Sequence, residues 1–251
     1  MRGAIYNFAK NIYHGLKRII ALFDLDEYRR RNNPDLVGFS DPTKIYFIVK
    51  KFLPSRGNTA LDIGSNTGQY LNLFALRFAR VIAFEPSKEA FDELKIKAGK
   101  YTNVELKNEG VFDINGTISV YKHQNSWRKK ELSILEKAND GFGWGPVTEE
   151  ININVIRIDD LNIPGIEFIK IDVEGSELKV LEGSIQTIDK CRPKLFIEIH
   201  AEELGNKIMQ LLGKMYTFRI VRHPAYRLGT SLWRSHYFLF AVPRRPEYIG
   251  H

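Results

Sequence analysis

Asp62, Glu85, Asp172, Glu174, Glu198 and His200 stand at or just past the ends of short apolar runs: Thr59-Ala60-Leu61, Arg80 to Phe84, Phe168 to Ile171 and Lys194 to Ile197. Carboxylates and an imidazole can hold a cation, accept hydrogen bonds from hydroxyls, or take up a proton. Asp172 and Glu174 are two residues apart, as are Glu198 and His200. On a strand, that spacing puts both members of a pair on one face. An open α/β sheet binds its ligands beyond the carboxyl ends of its strands, near the point where strand order reverses.

The first run continues into Gly64-Ser65-Asn66-Thr67-Gly68, followed by a helical pattern with Tyr70, Leu73, Phe74 and Leu76 on one face. Strand, glycine turn and helix together make a nucleotide cradle: Gly64 lets a ligand approach the main chain, and the new helix presents unpaired N–H groups. Glu85 follows roughly twenty residues later, the spacing at which a carboxylate accepts from both ribose hydroxyls. Its alternative role is to cap the helix that begins near Ser87. The dinucleotide fingerprint G-x-G-x-x-G has a middle glycine where this chain has Asn66, and that glycine admits a pyrophosphate. The turn therefore points to an adenosine ligand without a pyrophosphate. S-adenosylmethionine fits, and its ammonium and sulfonium would find Asp62 and Asp172 favourable.

These groups need a scaffold. Asp41-Pro42 starts a helix that Pro54 stops. Ser87 to Lys100 reads as a helix capped by Ser87, and Val104 to Phe112 as a third strand. That strand turns at Asp113-Ile114-Asn115-Gly116 into Thr117 to Tyr121 as a hairpin. Ile151 to Ile158 alternates apolar and polar. A helix capped by Ser176 runs to about Asp189, and another runs from Ala201 to Met215. Phe218 to Val221 and Tyr237 to Val242 close the chain as strands. Strands alternating with helices imply a mostly parallel sheet, and the last two strands, joined without a helix, imply an antiparallel one at the end. From His123 to Glu150 the periodicity fails, and Gly-flanked Phe142 and Trp144 are expected either as a mobile aromatic lid or as an ordinary surface loop.

The 251 residues are 43% hydrophobic, which suits one large domain with an N-terminal extension. The net charge of +7 favours acidic partners or serves solubility alone. One cysteine, Cys191, excludes a disulfide or a cysteine-based zinc site within these residues and fits a reducing compartment, so the expected location is cytoplasmic. Between Arg2 and Arg31, apolar residues recur at helical spacing with Lys10, Lys17 and Arg18 among them. The longest apolar run, Ile19 to Phe23, is too short to span a bilayer. Such a helix packs on its own domain, meets a second subunit, or makes a peripheral contact with the inner membrane face.

Six segments in order carry a resemblance to the FkbM family of class I S-adenosylmethionine-dependent methyltransferases. They are Leu61 to Tyr70, Ala83-Phe84-Glu85-Pro86, Asp113 to Thr117, Ile156 to Leu161, Lys170-Ile171-Asp172-Val173-Glu174-Gly175-Ser176-Glu177, and Arg192-Pro193 to His200. The resemblance implies a Rossmann-like α/β fold. Its mostly parallel seven-stranded sheet has helices on both faces, an antiparallel C-terminal strand, an extra β-hairpin insertion and N-terminal helices. Residues 1–40 are then a helical extension and 41–251 the methyltransferase domain, with 123–150 and 223–236 as candidate acceptor loops. It also implies that Asp62, Gly64, Ser65, Asn66, Gly68 and Asp172 hold the methionine side of the cofactor, Glu85 the ribose, and Glu109 and Gly110 the adenine. The family usually has alanine at the position of Gly110.

The acceptor implied is a hydroxyl of a sugar, glycan or related small molecule, phosphorylated or lipid-linked acceptors included. If the strands ending at Asp172 and Glu198 are neighbours, as in this class, Asp172, Glu174, Glu198 and His200 converge near the methyl group. His200 is then the first candidate for general base and Glu174 the second. The competing reading has Glu198 and His200 merely hydrogen-bonding loop backbone. A magnesium ion held by Asp172 with Glu198 or His200 is the alternative means of activation. A nucleic-acid methyltransferase would suit the basic charge, but no Asn-Pro-Pro-Tyr type segment is present where Asp172 to Gly175 stands. A non-catalytic cofactor-binding module is the third possibility.

Overall fold

The computed structural model describes residues 42–123, 146–222 and 237–244. The chain divides into two units, Met1–Ile48 and Val49–His251, and the described part of the first is the opening of helix α1 (Pro42–Phe52). The second unit begins with β1 (Gly57–Ile63), α2 (Leu71–Ala75), β2 (Phe78–Phe84), α3 (Lys88–Ala98) and β3 (Val104–Lys107). There follow β4 (Gly110–Val111), β5 (Gly116–His123), β6 (Val147–Ile156), a short 3-10 turn at Ile158–Asp160, and β7 (Ile166–Ile171). The chain continues through α4 (Glu177–Glu182), α5 (Ile185–Cys191), β8 (Lys194–Ile199), α6 (Glu202–Leu212), β9 (Tyr216–Arg222) and β10 (Tyr237–Pro243).

Seven strands form one sheet in the order β3-β2-β1-β7-β8-β10-β9. Pairings from β3 through β8 are parallel, and β10 runs antiparallel to both β8 and β9. Strand order reverses between β1 and β7, so a ligand crevice is expected where those two strands end.

Alternation along the strands divides the interior into two cores. On one side Leu61, Ile63, Ile169, Ile171, Leu195 and Ile197 pack with Val180 and Leu181 of α4, Ile188 of α5, and Ile208 and Leu212 of α6. The other side is aromatic. Phe168, Phe196 and Phe240 meet Phe52 of α1, Tyr70, and Phe74 of α2. Each such side chain contributes about 1.5–3 kcal/mol when fully buried. The helices therefore cover both faces of the sheet.

The run from Val104 to Phe112, expected as one strand, is two. Asn108 donates its amide hydrogens to the carbonyls of Glu85 and Pro86, at 2.8 and 3.2 Å, and turns the chain out of the large sheet. Beyond it, β4 enters a second sheet of order β4-β6-β5. The insertion is thus a hairpin of β5 with β6, and the turn at Asp113 to Gly116 crosses from one edge of that sheet to the other. Sidedness explains the choice of partner. Ile118 lies opposite Ile153 on the apolar face, while Ser119 Oγ donates to Asn152 Oδ1 at 3.0 Å on the polar one.

The helix expected from Ser176 to Asp189 breaks at Gly183, where a Cβ would stand 1.9 Å from the Phe112 carbonyl oxygen. Ser176 does not cap it; its hydroxyl donates to the Val173 carbonyl at 3.0 Å. Leu76 is 72% exposed because α2 ends one residue earlier, and Leu71 takes an inward position instead. The irregular segment is shorter than 123–150, since β5 reaches His123 and β6 starts at Val147. Phe142, Trp144, the N-terminal amphipathic segment and residues 223–236 lie outside the described residues. No helix among the described residues is long and apolar enough to cross a membrane.

Candidate active site

The glycine turn leaves β1 between the ends of β2 and β7. Gly64 and Ser65 both donate backbone hydrogen bonds to the Phe84 carbonyl, at 3.0 Å each. Gly64 has φ +73° and sits so close to β7 that a Cβ would lie 1.8 Å from the Asp172 carbonyl oxygen. Only glycine satisfies both conditions. Asn66, which replaces the fingerprint glycine, also adopts a left-handed φ of +48°, a region asparagine tolerates.

Glu85 stands one residue past β2 and ties the turn down. Its Oε2 accepts from the Asn66 N–H at 2.7 Å and its Oε1 from the Ser87 N–H at 2.8 Å. The helix-end role leaves room for a ligand role, because each carboxylate oxygen can accept a second hydrogen bond. Burial raises the Glu85 carboxyl to about 7, against the pull of the Ser87 and Asn66 amides. The ionised form, the better acceptor for ribose hydroxyls, accumulates only as pH rises through that value. S-adenosylhomocysteine is accordingly expected to bind about tenfold more weakly one pH unit below 7 than well above it. Calorimetric titration across that range checks this, and a Glu85→Gln variant is expected to bind weakly with a flat profile.

A cleft of about 760 Å³, open solvent included, lies beyond these strand ends. One wall carries Gly64, Asn66, Glu85, Asp172 and Glu174; the other is the apolar face of the second sheet, including Ile118 and Val155. Glu109 and Gly110 line it where the two walls meet. Asp62, Ser65 and Gly68 do not line it. Asp62 is 1% exposed and lies behind the turn, 3.4 Å from the buried ammonium of Lys170.

Lys170 is the residue that the sequence reading missed on this wall. Its Nζ lies 3.3 Å from Asp172 Oδ2 and donates to the Gly64 carbonyl at 2.5 Å. One ammonium thus links both carboxylates to the turn. Burial opposes its charge, but Asp172 and Asp62 outweigh burial and hold the proton above the ordinary lysine range. Burial raises the Asp62 carboxyl even with Lys170 beside it. The available signal was a lysine set between Ile169 and Ile171 in a strand buried on both faces, where a charge requires a buried partner.

Asp172 and Glu174 do not share a strand end, because β7 stops at Ile171. They lie in a turn in which Glu174 takes φ +51°, and that kink brings its carboxylate to His200. His200, one residue past β8 and 3% exposed, is held from two sides. Its Nδ1 meets Oε1 of fully buried Glu177 at 2.6 Å, while its Nε2 lies 3.2 Å from Glu174 Oε2 and 3.9 Å from Asp172 Oδ1. The partner of His200 is therefore the Glu177 side chain and not loop backbone alone. Glu177 is the first residue of α4, where an acid favours the helix dipole, so its type and position gave no separate signal of this contact.

Burial works against charge on His200, but Glu174 and Glu177 outweigh it and hold the proton well above the usual histidine range. Glu198 belongs to the same electrostatic group: burial, then Asp172, push its carboxyl up to about 8. Among the described residues, the carboxylate and imidazole atoms within 4.8 Å of one another are those of Asp172, Glu174 and His200, a grouping that does not include Glu198.

The sheet order, the glycine turn at its switch point and the acids at the strand ends define a class I methyltransferase. Residues 62–220 match the model of the methyltransferase FkbM domain, and the chain belongs to that family of S-adenosylmethionine-dependent methyltransferases. Among curated relatives it is 27% identical over 182 residues to 2-O-methyltransferase NoeI of Sinorhizobium fredii, covering 66% of this chain and 74% of that one. It is 27% identical over 206 residues to 31-O-demethyl-FK506 methyltransferase FkbM of Streptomyces tacrolimicus, covering 70% and 78%. Hexuronic acid methyltransferase AglP of Haloferax volcanii matches at 26% over 159 residues, covering 61% of this chain and 60% of that one. Among solved structures, SMU.1697c of Streptococcus mutans in complex with SAH aligns with a TM-score of 0.50 and 11% identity, over 82% of this chain and 99% of that one. Methyltransferase FkbM from Methylobacillus flagellatus aligns with a TM-score of 0.49 and 20% identity, and this chain spans 44% of its length.

Proposed function

We propose that the chain transfers a methyl group to a hydroxyl of a sugar, glycan or related small molecule, and that the hydroxyl loses its proton at the cluster of Asp172, Glu174 and His200. S-adenosylmethionine supplies the methyl group on a sulfonium. The donor set fits it: Glu85 for the ribose, the Gly64 to Gly68 turn and Asp172 for the methionine end, and the apolar wall with Glu109 and Gly110 for the base.

The observation that carries the acceptor reading is the clamp on His200. A buried carboxylate fixes one ring nitrogen at 2.6 Å, and the other faces Glu174 and Asp172, both of which line the cleft. Groups so arranged orient a proton acceptor, and a sugar hydroxyl, unlike an already nucleophilic thiolate or amine, requires one. The names of the relatives agree, since two specify an oxygen position and the third a hexuronic acid. The test is an acceptor screen with labelled cofactor against nucleotide sugars, lipid-linked glycans and RNA. Label is expected in a sugar-containing fraction and to resist conditions that hydrolyse methyl esters. Label in RNA alone would overturn the proposal.

A further inference from the structure

We infer that Asp172, Glu174 and His200 form a binding site for a divalent first-row transition-metal ion at the floor of the cleft. The inference rests on the reading of that cluster as the place where the acceptor hydroxyl is deprotonated.

The three side chains each bring one ligand atom within 4.8 Å of the others. Bonds of about 2.1 Å meeting at about 90–110° hold neighbouring donor atoms roughly 3.0–3.4 Å apart. Nε2 of His200 stands 3.2 Å from Glu174 Oε2 and 3.9 Å from Asp172 Oδ1, so of the three pairs one is already at ligand spacing, the second needs a shift of about half an ångström, and the two carboxylates, within 4.8 Å of each other, would close on the ion. Asp172 divides its oxygens: Oδ2 faces Lys170 at 3.3 Å and Oδ1 faces the histidine.

A second observation comes from behind the ring. Glu177, 0% exposed, accepts the Nδ1 hydrogen and aims Nε2 at the cluster, where a metal ion would replace the Nε2 proton. A carboxylate on the far nitrogen is how proteins orient a histidine that ligates a metal. Charge points the same way. Asp62, Asp172, Glu174, Glu177 and Glu198 interact within one group whose cationic side chains are Lys170 and His200. Burial raises the Asp62 and Glu198 carboxyls, and the carboxylates that face Nε2 are Asp172 and Glu174, the two that would meet a cation at the cleft floor. The imidazole donor shifts the preference from magnesium toward manganese, iron or zinc. Such an ion supplies positive charge at the side of the cleft where the acceptor loses its proton.

The test uses the full chain, stripped with a chelator and held at neutral pH with S-adenosylhomocysteine bound. Titration with MnCl2 is expected to show one ion per chain, and pulsed electron paramagnetic resonance is expected to show coupling to a directly bound imidazole nitrogen. His200→Ala should abolish the nitrogen coupling. Glu177→Gln, which keeps all three donors, should weaken binding about 10- to 100-fold. If His200→Ala does not fold, the wild-type spectrum still decides, because bound manganese without nitrogen coupling overturns the site. Protein that binds S-adenosylhomocysteine but takes up neither Mn2+ nor Zn2+ also overturns it and leaves the methyl-transfer reading standing. Protein that binds none of the three sinks both.

Discussion

The His200→Ala variant is expected to lose about 10²- to 10⁴-fold in methyl-transfer rate, the usual worth of a positioned acid–base group, while binding S-adenosylhomocysteine almost normally. The division follows from placement. His200 does not line the cleft itself, but its Nε2 lies 3.2 Å from Glu174, which does line it. Removing the ring therefore disturbs proton handling and leaves the ribose and methionine contacts alone.

The same substitution leaves Glu177 buried without its imidazole partner, at a cost to stability of about 3–5 kcal/mol. A fall in activity alone would thus confuse unfolding with lost chemistry. Adding Glu177→Gln removes the stranded charge, so the double variant is expected to regain much of the melting temperature and none of the turnover. Single-turnover transfer, calorimetric cofactor affinity and thermal melting, measured on wild type and both variants, separate the two effects. Wild-type turnover in His200→Ala would remove the residue from the reaction.

Lys170→Met is expected to be strongly destabilising behind the same wall. Lys170 is 3% exposed and stands between Asp62 at 3.4 Å and Asp172 at 3.3 Å. Methionine fills the space but leaves Asp62 buried without a counter-charge, a loss of about 3–5 kcal/mol. In a domain of this size that lowers the melting temperature by about 6–20 °C. The sign with pH is fixed by which group is stranded. In the wild type, the raised Lys170 value keeps its contribution at all pH below the ordinary lysine range, to be lost only in strong alkali. In the variant, the buried Asp62 carboxyl favours protonation, so falling pH relieves the penalty. The gap in melting temperature should narrow as pH falls and widen as it rises. A gap independent of pH would mean that Lys170 contributes through packing and not through charge.

Much of this was readable before any coordinates. Runs of β-branched and apolar residues ending in acids located β1, β2, β7 and β8, and Ser87 located the start of α3, whose Ala90 N–H it receives at 3.5 Å. Such signals are local, and they survive folding because both faces of a parallel sheet are buried. The failures were long-range. Asn108 reads as an ordinary polar residue until the Glu85 and Pro86 carbonyls stand beside it, and Gly183 as a helix interior until the Phe112 carbonyl crosses it. The partner of β5 could not be inferred by adjacency because it lies beyond residues 124–146.

By itself the sequence determined the class of protein and its cofactor. A glycine turn with Asn66 inside it, and Glu85 one strand later, are constraints carried by neighbouring residues on a backbone of known geometry. Tertiary structure decided the rest of the site. Alternation along strands predicted that Asp172, Glu174, Glu198 and His200 would meet as two pairs. Three of them form the compact cluster, through a left-handed residue at Glu174 and a buried carboxylate from Glu177 on another element. Which charges are neutralised and which face the cleft depends on distances between residues far apart in the chain, as between Lys170 and Asp62, and no local pattern encodes those.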